Sequence, residues 1–467
     1  MSTAVTSAPD QLFDAQSLPA GAPEELAGPP HVPAPVSRQE RISSVDTLRG
    51  MALLGILAMN ITDFGLPSWD YTIPLSTVHP VFSGPYWRIN TIAWFLRWIL
   101  AEGKMRALFS MLFGAGAILL TSRAESRGAG DRAADIFTRR NMWLMLFGIL
   151  HCYLIWNGDI LYFYGLMGLI FLYPMRNLKP KTLFIWAAVV LFLNGALLTG
   201  GQMASRYSTR KKALAADKLY REHKPLTEEQ SADIKAWSTA QDRMRPPQKK
   251  LYDDIRAAQK GYISAQMKDA KDAFEGETKG AYLGFGDVLG FMLLGMGLYR
   301  NGFLTAKLQT KTYAIIAALA LGVCWPLIFA GCYMAWKSHF DMFTVFGWLY
   351  LPYDIGRFTG ALGNAALLLL ILKSGLLKFL TRRLAAVGQM ALSNYLFTSS
   401  FCKFLFVWGP LHWYGYMEYY KLYYVMAGVW AFNLIWSPLW LKYFQFGPAE
   451  WVWRSLTYWK RQPMRIP

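Results

Sequence analysis

Charged residues are scarce in this chain: Asp, Glu, Lys and Arg together make up 17% of its 467 residues, against 54% hydrophobic. Soluble domains carry about a quarter charged residues, so an ordinary water-facing surface is excluded. Acidic groups are scarcer still, 30 against 48 basic, which leaves a formal charge of +18. Cysteine is nearly absent. Cys152, Cys324, Cys332 and Cys402 each sit inside an apolar run, at spacings that fit no zinc knuckle. That excludes a disulfide framework, and no metal is expected. No cleavable secretory leader is expected either. Residues 1–40 are rich in Ala, Pro, Ser and acidic residues rather than showing a charged start and an apolar core. They are expected to form a disordered cytoplasmic tail. There is no phosphate-loop motif, and the basic residues are dispersed, so nucleic acid is not an expected partner.

What the chain has instead is aromatic residues, 16% with 19 Trp, and long apolar runs. Runs of about 20 residues, the length of a membrane-crossing helix, recur at 44–65, 91–122, 140–157, 159–177, 181–202, 281–303, 311–336, 344–372, 385–408 and 421–442. The expectation is an all-α polytopic membrane protein with about ten transmembrane helices and a helical periplasmic insert. Lys and Arg cluster in alternate connections, among them Arg123 to Arg140, Arg176 to Lys181, Arg300 to Lys311 and Lys373 to Arg383, and again in the tail. The connections around 157–158, 337–341 and 409–420 are poor in them. This bias places both termini in the cytoplasm of a bacterial inner membrane, and it makes the net charge a matter of topology and attraction to membrane lipids.

The expected organisation is tail 1–40, membrane helices one to five over 41–202, insert 203–280, helices six to ten over 281–443, and an amphipathic cytoplasmic tail 444–467. The insert carries charges of both signs and helical spacing over 233–245 and 249–271, without a nucleophile, metal or phosphate motif. It reads as a lid or partner surface. No inverted repeat and no pair of broken helices is evident.

Ionisable groups inside spans are costly and mark function by default. Asp46 and Arg49 stand three residues apart at the first membrane entry, and Asn60 closes that span. His151 lies about twelve residues into the third span, roughly 18 Å along it, and Trp156-Asn157-Gly158-Asp159 forms the tight turn that follows. His151 and Asp159 are therefore expected to meet, as a base and the carboxylate that orients it. Glu102, Lys104, Arg106, Asp287, Asp354 and Arg357 complete the set. Glu102/Arg106 and Asp354/Arg357 are spaced for intrahelical salt bridges. Asn364, Asn394 and Asn433 read as interhelical glue, and Gly114, Gly116, Gly290, Gly295 and Gly297 as sites of close helix approach.

Ser44-Val45-Asp46-Thr47-Leu48-Arg49-Gly50 with Asn60, Glu102-Gly103-Lys104-Met105-Arg106, Leu108 to Gly116, His151 with Trp156 to Leu161, Gly388 to Tyr395 and Phe446 to Tyr458 resemble the signature blocks of the YeiB-like family of bacterial inner-membrane proteins. The resemblance covers nearly all of the chain except the amino-terminal tail and the insert. The first block is in turn similar to that of transmembrane acyltransferases such as heparan-alpha-glucosaminide N-acetyltransferase. This implies an enzyme that takes an acyl group from cytoplasmic acyl-CoA to a small-molecule or lipid-linked acceptor on the far side, with Asp46, Arg49 and Asn60 in the first-span motif. The acetyltransferase pattern points to His79 and the YeiB-like pattern to His151. His151 is preferred, because Asp159 supplies a partner while His79 precedes Pro80 in a loop. The site set is then His151 and Asp159 for catalysis, with Asp46, Arg49, Asn60, Glu102, Lys104, Arg106, Trp156, Asp354 and Arg357 for substrate. A transporter of a small or lipidic solute and a non-catalytic scaffold remain the alternatives, and the sequence is compatible with an oligomer.

Overall fold

The computed structural model describes residues 43–126, 132–275 and 281–466; the expected tail 1–40 lies outside them. Every long element is a helix, as a lipid-embedded backbone requires, since no water is at hand to satisfy its amides. In chain order the helices are α1 Ser43–Gly65, α2 Trp87–Leu100, α3 Lys104–Ser126, α4 Arg132–Leu154, α5 Leu161–Met167, α6 Tyr173–Met175, α7 Pro180–Asn194, α8 Gly201–Arg221, α9 Glu228–Met244 and α10 Gln248–Gln259. They continue with α11 Tyr262–Glu275, α12 Ala281–Arg300, α13 Thr310–Lys337, α14 Met342–Val345, α15 Tyr353–Ser374, α16 Lys378–Gln389, α17 Ala391–Lys403, α18 Tyr419–Tyr443 and α19 Pro448–Tyr458.

Among the described residues, six stretches are long and apolar enough to cross a membrane: Ser43–Gly65, Trp87–Ser126, Pro180–Arg221, Thr310–Lys337, Met342–Ser374 and Tyr419–Tyr443. The other four expected spans are helical too: α12 is a 20-residue apolar helix, while α4 and the stretches at 159–177 and 385–408 are more polar or interrupted. The chain is thus an all-α, multi-pass membrane protein, and among the described residues these six stretches answer to six of the ten expected spans.

Contacts divide the connections between two ends of the bundle. At one end the Gly415 amide donates to Gly65 O (2.8 Å), Tyr262 Oη donates to Leu154 O (2.8 Å), and Ser76 Oγ donates to Pro246 O (3.0 Å). The insert, α8 to α11, therefore sits over the turns 66–86, 155–160 and 409–418. At the other end Ser44 Oγ donates to Leu304 O (3.0 Å), Arg176 pairs with Glu125 (3.1 Å), Lys373 Nζ donates to Leu308 O (2.8 Å) and Trp453 Nε1 donates to Arg140 O (2.9 Å). The arginine-rich connections gather there.

Two long helices are broken in mid-course, which the sequence reading did not find. The turn 101–103, with Gly103 at φ +71°, separates α2 from α3. A π-helical turn at Phe346–Tyr350 and the turn at 351–352 separate α14 from α15. Close approach brings α3 against α12: a Cβ at Gly114 would stand 2.0 Å from Met292 O, and one at Gly295 1.9 Å from Met111 O. Gly116, expected to share this role, has open space around it.

The turn 66–86 carries a pH-sensitive contact. Asp70 is buried, accepts the Ser76 amide (3.0 Å), and has its carboxyl pushed up to about 7 by that burial. A free Asp titrates near 4, so between about pH 4 and pH 7 the folded loop binds more protons than the unfolded one. The loop is held best at the acid end, and this contribution is lost as pH rises through the folded pKa. A spin label at exposed Ser83 should become more mobile as pH rises from about 4 to about 7 in the parent protein, and should not respond to pH over that range once Asp70→Asn is introduced.

Candidate functional site

Breaking α2 from α3 has a chemical consequence. Glu102 stands in the turn rather than on a helix, so it does not reach Arg106, and the expected i,i+4 bridge is not formed. Glu102 pairs instead with Arg97 (2.7 Å), both side chains buried, and accepts the Tyr353 hydroxyl (3.2 Å). Lys104, also fully buried, donates from Nζ to Trp98 O (2.6 Å) and Glu102 O (3.2 Å). It satisfies carbonyls that the end of α2 leaves open, so this cation closes a helix rather than facing a substrate.

Arg106, released from Glu102, meets Asp287 of α12 at 3.0 Å. Arg357 of α15 meets the other oxygen of Asp287 at 2.5 Å and Asp354 at 2.6 Å, forming the expected i,i+3 bridge. Charges in a low-dielectric interior persist only when paired, and here one carboxylate links three helices. These groups line a cavity of about 420 Å³ together with Asn60, Tyr71, Asp159, Asn194, Tyr353 and Tyr395. The cavity lies toward the insert end.

His151 and Asp159 meet as expected: Nδ1 stands 2.9 Å from Oδ1, with both side chains fully buried. Gly148, one turn before His151, lets α4 and α5 touch; a Cβ there would lie 2.2 Å from Tyr162 N and 2.7 Å from Asp159 Oδ2. That carboxylate also accepts the Tyr162 amide (2.9 Å) and the Tyr395 hydroxyl (3.4 Å). The His151 ring lies 4.9 Å from that of Tyr395 and edge-on to Trp156 at 6.2 Å. Asp159 and Tyr395 line the cavity, while the imidazole stands behind them and lines neither cavity described here. Trp156 faces away from the cavity and donates its indole N–H to Asp63 (2.7 Å). His79, at the same end, is half exposed, 3.7 Å from Glu418.

A second cavity, about 220 Å³, lies toward the opposite end. Its body is apolar, with Phe109, Leu112, Phe113, Leu144 and Leu161, and its polar lining includes Asp46, Arg49, Arg123, Arg140, Glu450 and Arg454. Asp46 and Arg49 pair at 2.9 Å, and Arg49 also donates to Gly388 O (3.4 Å). Glu450 of α19 accepts the Leu392 amide (2.6 Å) and the Ser393 amide (3.2 Å), occupying the start of α17, where free N–H groups favour an anion. Arg140 stacks on Trp453 at 3.7 Å. Ile56, Ile160 and Tyr395 line both cavities.

Three side chains around these cavities were not among the residues singled out in the sequence: Arg97, Asp63 and Tyr395. Arg97 was visible as a guanidinium inside an apolar run, the signal that flagged the others. Asp63 lies one residue short of a full turn beyond Asn60. Tyr395 carries no such signal, because a tyrosine in an apolar helix reads as core. Among the described residues, no group of His, Cys, Asp and Glu is placed to hold a metal ion.

Residues 298–460 match the model of a family described as a protein of unknown function, DUF418. The chain is 29% identical to the uncharacterized protein YeiB of Escherichia coli (strain K12) over 425 residues, which cover 90% of this chain and 96% of YeiB. It is 28% identical to the uncharacterized protein YxaH of Bacillus subtilis (strain 168) over 444 residues, 92% of this chain and 97% of YxaH. A 39.9 kDa uncharacterized protein of Bacillus acidopullulyticus is 26% identical over 444 residues, 92% of this chain and 98% of that protein. No solved structure matches the chain. The YeiB-like resemblance seen in the signature blocks is supported over nearly the whole chain.

Asp287 carries a measurable share of stability. Asp287→Ala leaves Arg106 and Arg357 without their shared partner, and breaking a buried pair in this way costs about 3–5 kcal/mol. Thermal unfolding in detergent should drop clearly for Asp287→Ala and stay near the parent value for His79→Ala. Equal melting of the two variants would show that the three-helix charge cluster is not needed.

Proposed function

We propose that this YeiB-like chain, whose residues 298–460 belong to the DUF418 family, is a bacterial inner-membrane acyltransferase that passes an acyl group from cytoplasmic acyl-CoA to a periplasmic or lipid-linked acceptor. One observation carries the reading. The two cavities adjoin at Ile56, Ile160 and Tyr395, so three side chains interrupt a path from the arginine-rich end to the insert end. The concentration of Lys and Arg at one end supports placing that end and the termini on the cytoplasmic side, with the insert outside.

In this reading the phosphates of the donor meet Arg49, Arg140 and Arg454 at the inner cavity through charge-assisted contacts. The acyl arm lies along its apolar body, and the thioester carbonyl comes to Tyr395. The acceptor occupies the outer cavity. Its hydroxyl or amine gives a proton to Asp159 while its lone pair bonds the carbonyl carbon; the resulting oxyanion collapses, the C–S bond breaks, and the departing thiolate takes that proton from Asp159, which restores the carboxylate. The Tyr395 hydroxyl, which donates to Asp159 (3.4 Å), turns its one proton to the developing oxyanion as Asp159 takes up the proton of the acceptor. His151, behind Asp159, is a positioning residue whose Nδ1 stands 2.9 Å from Oδ1 of that carboxylate. Geometry thus supports an exchange of the roles first expected for the pair, because Asp159 and not the imidazole meets the cavity.

A transporter is the second reading, favoured by one observation: the broken α2/α3 and α14/α15 meet at the Glu102–Tyr353 contact, and discontinuous helices commonly form solute sites.

The test uses oriented membrane vesicles with radiolabelled acetyl-CoA or palmitoyl-CoA on the cytoplasmic face. Label should appear in an acceptor on the far side or in the lipid fraction, and Asp159→Asn and Tyr395→Phe should remove it. His151→Ala should lower kcat and shift the pH profile, with smaller change in KM. Label transfer that is the same with and without the protein would reject the acyltransferase. Cysteine labelling that places residues 228–259 on the cytoplasmic face would reject the orientation.

A further inference from the structure

Helix α11, Tyr262–Glu275, lies outside the expected spans yet presents three different faces. Ala265, Gln266 and Ala273 are buried against the bundle, and Asp269 joins them through an ion pair with Lys403 at 2.6 Å. Lys268, Lys271 and Asp272 form a charged face. Ile263, Met267 and Phe274 form the third, and they are 73%, 73% and 62% exposed. At 3.6 residues per turn these three and Ala270 fall within roughly 60° of one another, a stripe bordered by Lys271 of the charged face on one side and by buried Gln266 on the other. A helix immersed in water would carry two kinds of face, one against protein and one polar. Three imply a third medium.

What that medium is follows from the neighbours. Tyr262 Oη donates to Leu154 O at 2.8 Å, and Gln266 Nε2 donates to Tyr153 O at 2.8 Å, so α11 sits on the last turn of α4. On α4, Met142, Leu146, Ile149, Leu150 and Leu154 are exposed on an apolar surface that ends at that turn. Such a surface on a helix of a membrane protein faces acyl chains, and the stripe on α11 continues it. The Tyr262 ring packs edge-on to Trp408 at 5.1 Å, and a Tyr–Trp pair of this kind marks the headgroup level. We infer that α11 is an interfacial helix, resting its Ile263–Met267–Phe274 stripe in the lipid leaflet on the insert side while its charged face meets water. The partner is phospholipid, and the insert is consequently seated on the bilayer. This inference does not rest on acyl transfer.

The test places a nitroxide at Met267→Cys and, separately, at Lys271→Cys, in full-length protein in nanodiscs of phosphatidylethanolamine and phosphatidylglycerol. Both positions are at the surface, whereas Cys152, Cys324, Cys332 and Cys402 are buried, so label incorporation of one per chain reports folded protein. The ratio of collision with lipid-soluble oxygen to collision with a water-soluble nickel chelate should be severalfold higher at 267 than at 271. Equal ratios at the two positions would overturn the inference. So would a label at 267 shielded from both reagents, because that signature belongs to a second copy packed on the stripe.

Discussion

A carboxylate between two guanidinium groups sets the conditions for the rest of this bundle. Asp287 cannot stand ionised in a lipid-surrounded interior without compensation, and Arg106 and Arg357 supply it from two other helices. Each of the three elements is thereby fixed in register as well as in distance. The close backbone crossing of α3 and α12 at Gly114 and Gly295 is needed for the contact to form. The break at 101–103 sends Glu102 to Arg97 and leaves Arg106 for Asp287. Pairing is therefore a condition of the fold, and the polar lining of the outer cavity is what that pairing leaves exposed.

Much of this architecture was legible in the sequence because it rests on one-dimensional signals. Apolar length gives helices, and the alternation of Lys and Arg sorts connections into the two ends that the contacts bring together. His151 and Asp159 could be paired because a tight turn of known length separates them. Partner choice was less legible. Glu102 and Arg106 have ideal helical spacing, and only the non-helical turn at Gly103 separates them. Lys104 looked like a substrate cation, yet its ammonium serves backbone carbonyls at the end of α2. The direction in which His151 points depends on Tyr395, more than two hundred residues away in sequence, and no local pattern encodes that.

The arrangement around Tyr395 also gives the two cavities different characters. The inner one is an apolar slot with guanidinium groups at its edge, suited to an amphiphile with an anionic head. The outer one has acids, bases, amides and phenols in alternation. A molecule comfortable in one is poorly solvated in the other.

Glu450 gives the carboxy-terminal helix a mechanical role. Its carboxylate occupies the start of α17 and accepts the Ser393 hydroxyl as well as two backbone amides, while the Ala449 amide returns a bond to Ser393. Tyr395 follows on the next residues of that same rigid rod. α19 is thus tied by four hydrogen bonds to the start of the helix that carries Tyr395, the one aromatic residue that lines both chambers, so where that ring stands is set in part by the carboxy-terminal segment.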